Sequence, residues 1–343
     1  MTALTMPAHL EEDASLQPVP WRRIAWVTWR QHRFALMGVA VLLGALALYL
    51  WLSGLQLHAA YAAATTCRPA SSIACVSAMN NFTSTNNTAR QVIPTLLQAV
   101  PALIGAFLGA PVLARELETG TFRYAWTQGF GRWRWTLAKL LSLAVLLAAV
   151  AGTFSLLFSW FYEPFIADGQ SSPLSAIFFD LRGVAFAAWT LLAFAIGALA
   201  GILIRRVVPS IIATMVAYTG LAFVVGAFLR QKYLTPLVTS KANAPASALV
   251  TGNWGTKGGQ VAFTGDPPLN LLQQFCPPSA VGPGKPSSGA FAQCLGQHGY
   301  TLWTSYQPAS WFWPFQWIEG GWLLALSVLL IAVTVWLVRQ RAA

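Results

Sequence analysis

Val92–Thr121 reads VIPTLLQAVPALIGAFLGAPVLARELETGT. As far as Ala114 the stretch carries no charge and is long enough to cross a bilayer, whose ~30 Å hydrocarbon core takes roughly 20 apolar residues of helix. At Arg115 it changes into Arg115-Glu116-Leu117-Glu118-Thr119-Gly120-Thr121, a knot of charge in a chain that is only 9% charged. Such a knot belongs in water, against something it touches.

The same alternation of apolar run and charged break repeats along the chain. Of 343 residues, 56% are hydrophobic, and the mean hydropathy is +0.56. Soluble domains are less apolar and carry about 25% charge. Six runs are candidate spans: Phe34–Gly54, Val92–Ala114, Leu137–Phe161, Gly183–Ile204, Val207–Leu229 and Gly321–Val338, the last with a start that reaches back toward Trp311. A membrane β-barrel needs ~10-residue alternating strands; these runs are continuous and too long. The expected fold is an all-α membrane protein of six transmembrane helices.

Net charge is +11, from 21 Lys and Arg against 10 Asp and Glu. Its distribution argues against nucleic acid as a partner. Arg22, Arg23, Arg30 and Arg33 precede span one. Arg115, Arg123, Arg132, Arg134 and Lys139 lie between spans two and three. Arg205 and Arg206 separate spans four and five, and Arg339 and Arg341 follow span six. All fall on one side if the N-terminus is inside, which is the positive-inside pattern. Both termini are then cytoplasmic. Residues 1–20 carry Glu11, Glu12 and Asp13 without an apolar core, and read as a disordered cytoplasmic tail and not as a secretory signal.

Cysteine placement agrees with this topology. Cys67 and Cys75 lie between spans one and two, Cys276 and Cys294 between spans five and six, all on the expected outside. Disulfides persist there. Four cysteines allow three connectivities; two local bridges, Cys67–Cys75 and Cys276–Cys294, are the expectation, with free thiols or a metal site as the alternative.

Residues 21–33 (WRRIAWVTWRQHR) place Trp21, Ile24, Ala25, Thr28 and Trp29 on one helical face and Arg22, Arg23, Arg30 and Arg33 on the other. Trp and Arg together suit the headgroup layer, so an amphipathic interfacial helix lying on membrane lipid before span one is expected. The alternative is the polar start of that span. Residues 55–91 read as a polar external loop, and 230–318 as a large, irregular external region. Pro314 is expected to bend the entry to span six. Span two holds Pro94, Pro101 and Pro111, which imply kinks. Gly105 and Gly109 form a GxxxG pair, as do Gly197 and Gly201; close packing inside one subunit is expected over a dimer contact. Gly120 can end the span-two helix in a left-handed conformation, and Thr121 can cap a short helix, Phe122–Thr127, within a cytoplasmic loop covering 115–136. Glu319, Asp180 and Arg182 are candidate polar groups at an outer gate, Glu319 either handling substrate or protons or sitting as a solvated interfacial carboxylate.

No motif for chemistry is present. Gly255-Thr256-Lys257-Gly258 and Gly284-Lys285-Pro286 lack the GxxxxGK[ST] spacing of a nucleotide-binding loop. HExxH, GxSxG and metal-ligand spacings are absent, and no catalytic, cofactor-binding or metal residues are nominated. Energy for work would come from a partner.

Arg115–Lys139 (RELETGTFRYAWTQGFGRWRWTLAK) resembles the first cytoplasmic loop of type-2 ABC exporter permeases, with an acidic pair (Glu116, Glu118), Gly120-Thr121, the apolar Phe122–Thr127, Arg132, and Ala138-Lys139 entering span three. Ala138 stands where the family has Gly, and Gln128 where Pro is common. The overall plan is similar too, and Thr28–Arg33 and Tyr306-Gln307-Pro308 resemble permeases of high-GC Gram-positive bacteria. The resemblance implies a permease in a bacterial cytoplasmic membrane, paired as a homodimer and docked on two copies of a separate ATP-binding subunit that holds ATP and Mg. It further implies that Arg115, Glu116, Glu118, Gly120, Thr121, Phe122, Arg123 and Tyr124 form a coupling helix and its flank. A hydrophobic or amphipathic cargo fits the Ala, Leu, Val and Phe of the spans. The alternative is a non-transporting sensor or anchor whose external region binds a ligand.

Overall fold

The computed structural model describes residues 21–67, 72–120, 132–167, 171–240, 245–276 and 288–341. In lipid a backbone must satisfy its own hydrogen bonds, which uncharged apolar runs do as helices. Among the described residues six helices are long and apolar enough to cross a membrane: Leu36–Thr65, Thr88–Glu118, Trp133–Ala167, Gly183–Ile204, Val207–Lys232 and Ala309–Gln340. The described residues divide into two compact units, one holding those up to Tyr162, Asp180–Val224 and those from Gln316 onward, the other Glu163–Phe179 and Val225–Phe315.

In the first unit, α1 (Trp21–Thr65) is one unbroken helix. The interfacial helix expected over 21–33 is therefore helical but continuous with span one, with no turn between them. Arg30 is exposed; the side chains of Trp21, Arg22, Arg23 and Trp29 lie outside the described residues, as does the tail 1–20. The external loop expected over 55–91 is largely helix. The Ala-rich turn 59–64 has high helix propensity and carries α1 on to Thr65. Then α2 (Ile73–Thr85) starts at Ser72, whose Oγ accepts from Cys75 N at 3.2 Å. The Cys67–Cys75 disulfide joins the two helices, with Cα atoms 5.5 Å apart, and Tyr61 meets Phe82 with ring centroids at 5.6 Å.

The interior of this unit is α5 (Gly183–Ile204) packed on α3 (Thr88–Glu118). α3 is a chain of short helical pieces. Pro94, Pro101 and Pro111 each fall in the first turn of a new piece, where the missing N–H costs nothing. A π-helical turn, Gly105–Gly109, lies between the second and third. It is pressed on α5 backbone to backbone. A Cβ on Gly105 would stand 2.5 Å from the Ala193 carbonyl oxygen, one on Gly109 2.7 Å from that of Phe194, and one on Gly201 2.6 Å from that of Ala110; one on Gly197 would collide with the Gly105 carbonyl. The two GxxxG pairs therefore face each other within one chain, as packing inside a subunit requires.

Two further long helices of the unit are α4 (Arg132–Ala167) and α6 (Val207–Lys232), whose last residues belong to the second unit. The last span is α9 (Phe312–Arg341). Pro314, where the sequence suggested a bend, falls in its first turn, where no intrahelical donor is needed.

The second unit adds strands that the all-α expectation did not include, in a fold that is otherwise mostly helical. It holds a four-stranded antiparallel sheet in the order β1-β4-β2-β3, formed by β1 (Leu237–Ser240), β2 (Leu249–Lys257), β3 (Gln260–Thr264) and β4 (Tyr300–Gln307). Gly258 and Gly259, with φ of +57° and +82°, make the two-residue turn between β2 and β3, a geometry that glycine adopts without strain. Trp254 pairs with Trp303 across the sheet. Helices α7 (Leu269–Phe275) and α8 (Ser288–Gln297) are linked by the Cys276–Cys294 disulfide, whose Cα atoms are 6.0 Å apart. Cys276, Leu295 and Leu302 form the core there, with Phe263, Phe275 and Tyr300 around it. The chain then enters α9 (Phe312–Arg341).

Gly197→Leu is expected to cost about 2 kcal/mol or more, because the obstructing atom is backbone and cannot swing aside. Gly152→Ala, in open space, is expected to be neutral or to stabilise by up to ~1 kcal/mol. Thermal unfolding of both variants in detergent checks this; equal melting points would refute the α3–α5 packing.

Candidate functional site

The charged knot ends α3. Thr119 closes the helix, its N–H and Oγ1 both donating to the Arg115 carbonyl at 3.0 and 2.8 Å. Gly120 follows at φ +71°, the left-handed stop expected from the sequence. Thr121, Phe122, Arg123 and Tyr124 lie outside the described residues.

Glu116 and Glu118 both reach other helices of the same chain. Lys139, in the second turn of α4, is fully buried. Its Nζ donates to Glu116 Oε1 at 2.5 Å and to the Val112 carbonyl at 3.2 Å, so a charge that burial would otherwise make very costly is paired and hydrogen-bonded. Glu118 turns the other way, and its Oε2 accepts from the Val207 backbone N–H at 3.0 Å. Val207 opens α6, so a carboxylate supplies one of the partners that the first amides of a helix lack and opposes the helix dipole favourably. The tight α5–α6 connection bends at Arg205, a non-glycine residue at φ 60°. Arg115, Arg205 and Arg206 are exposed around this cluster.

A second polar cluster sits at the N-terminal end of α5. Gln316 and Glu319, one turn apart on α9, are both fully buried. Gln316 Oε1 accepts from Ala185 N at 2.8 Å, and Glu319 Oε1 accepts from Trp189 Nε1 at 3.0 Å. Trp189 in turn packs edge-on against Tyr218 of α6 and Trp322 of α9, at 5.6 and 6.5 Å. Ser155 of α4 donates to the Gly183 carbonyl at 3.1 Å. Asp180 and Glu319 both lie within electrostatic reach of the Tyr218 phenol, and Arg182 occupies the cap position of α5. The solvated carboxylate expected at Glu319 is thus corrected: its carboxyl is buried and ties α9 to α5.

Sequence reading missed Lys139, Val207, Gln316, Trp189 and Tyr218 as members of these clusters. Lys139 left a signal, since a lone cation inside an apolar run needs an internal partner. An apolar groove of about 520 Å³ runs between α1 and α4, lined by Leu36, Leu43, Ala47, Leu147 and Phe154. Among the described residues no group of three or more His, Cys, Asp or Glu is arranged to hold a metal ion.

Residues 39–230, more than half the chain, match the family model for ABC-2 membrane transporter related proteins. The chain belongs to this family. The match covers the charged end of α3, Lys139 and the α5–α6 hairpin, so the contacts of both Glu116 and Glu118 fall inside the family region. It stops before the sheet. No curated protein and no solved structure matches the chain. As an ABC-2 family member with six apolar helices, the protein is a multi-pass membrane transport subunit.

Removing Glu116 takes the paired carboxylate from the buried Lys139 ammonium, whereas removing Lys139 leaves Glu116, whose side chain is 16% exposed, able to turn to water. Glu116→Ala should therefore cost about 2–3 kcal/mol and Lys139→Met less than half of that. Chemical unfolding in detergent measures both, and equal losses would contradict the burial argument.

Proposed function

We propose that this chain is the membrane-spanning permease subunit of an ATP-driven exporter, energised by a separate cytoplasmic ATP-binding subunit. One observation carries the reading: a chain of the ABC-2 transporter family lacks any nucleotide-binding loop of its own. The ATP and Mg would then be held by the partner. Positive charge beside the spans supports an orientation with both termini in the cytoplasm, which puts the end of α3 on the side where ATP is available.

In this reading the segment 121–131 is the coupling element that seats in the ATP-binding subunit. Its two anchors favour that role, since the chain leaves α3 at a defined stop and re-enters at α4, whose second turn is fixed to α3 by Lys139. Arg115, Arg205 and Arg206, exposed around it, supply charge that positions a docking partner. Two copies of the chain would pair, with a pathway formed between them. The apolar linings favour a hydrophobic or amphipathic cargo.

An affinity-tagged chain co-expressed with candidate ATP-binding subunits of ABC type from the same genome should retain one of them through purification. Replacing Phe122–Thr127 by a Gly-Ser stretch of equal length should abolish retention while leaving the melting point of the chain unchanged. Undiminished retention would refute the coupling assignment.

A further inference from the structure

Glu116 and Glu118 make contacts that a mere docking surface does not need. Both carboxylates are spent on helices of their own chain, Glu116 on α4 through Lys139 and Glu118 on α6 through the Val207 amide. We propose that they form a transmission clamp, which passes a displacement of the 121–131 segment to α4 and to the α5–α6 hairpin together. This rests on the permease reading above.

The need for a clamp follows from Gly120. A residue without Cβ, held at positive φ, is a soft joint, and movement delivered through it alone would be lost as rotation about that joint. The clamp bypasses it. On the far side of the segment, α4 is fixed to α3 seven residues after it begins, by Lys139 on Glu116 and Val112. On the near side, Glu118 holds the first amide of α6. The hairpin before that amide has little slack, because Arg205 already sits in the left-handed region that a non-glycine residue adopts only at a cost.

The remaining helices decide which part can move. α5 is locked to α3 through the glycine contacts, so those two shift as one body. α6 has only 17% of its apolar window covered, against 61% for α5, and what covers it is α5 and α3. Glu118 is therefore the positioning residue that makes the start of α6 follow the end of α3. Glu116 and Lys139 do the same for α4.

Two measurements test the clamp. Amide hydrogen exchange on the full chain in detergent, without any ATPase, reads the contact itself. Glu118→Ala should speed exchange across 207–210 by about two- to fivefold, the size of a lost helix cap, while Glu118→Gln, which keeps an acceptor oxygen, should exchange like the parent. Unchanged exchange in Glu118→Ala overturns the clamp. Spin labels on Val208→Cys, exposed at the start of α6, and Gln340→Cys, in the complex with its ATPase, read transmission. Trapping with ATP and vanadate should shift the distance in the parent and in Glu118→Gln, and not in Glu118→Ala, although the ATPase stays bound in all three. An equal shift in Glu118→Ala overturns the inference and leaves the permease reading standing. Failure of any ATPase to bind the parent sinks both, whatever the exchange shows.

Discussion

The first unit depends on a contact with almost no side chain in it. In lipid, apolar helices gain little from burying more apolar surface, so association must come from close packing and hydrogen bonds. Gly105 and Gly109 on α3 and Gly197 and Gly201 on α5 let the two backbones touch. Three prolines, each opening a new piece of α3, and the π turn between 105 and 109 shape that helix to its neighbour. The direction in which α3 ends, and hence the position of its charged knot, follows from this contact.

Upon that frame polar groups act as ties between helices. Lys139 joins α4 to α3, Glu118 joins α6 to α3, Gln316 and Glu319 join α9 to α5, and Ser155 joins α4 to α5. A buried polar group without a partner costs about 1–3 kcal/mol, so each tie penalises any arrangement that breaks it. Ties of this kind fix register where apolar packing alone is permissive.

Much of this was legible in the sequence. Span positions follow from hydropathy, the helix stop at Gly120 from the demand for positive φ, and the two local disulfides from cysteine placement. The facing GxxxG pairs were readable as close packing. What escaped was non-local or masked by composition. Glu116 and Glu118 looked like docking charges because their partners lie 23 and 89 residues away. The sheet was hidden in a Gly-, Asn- and Ser-rich stretch that read as irregular, although Gly258-Gly259 between alternating residues is a hairpin signal. The Ala-rich end of α1 was read as loop because it follows the hydropathic span, while its propensity favours helix. Pro314 was read as a break by type, without regard to its place in the first turn.

The most direct test of the permease reading is site-specific photo-crosslinking in the ATP-free complex with the co-expressed ATPase. A photoreactive residue placed at Thr119 or Phe122 should give an adduct with the ATPase, and one placed at exposed Val238 in the sheet unit should give none. An adduct from Val238, or none from Thr119 and Phe122 while the ATPase remains bound, would contradict the assignment of the α3–α4 connection as the site where the motor docks.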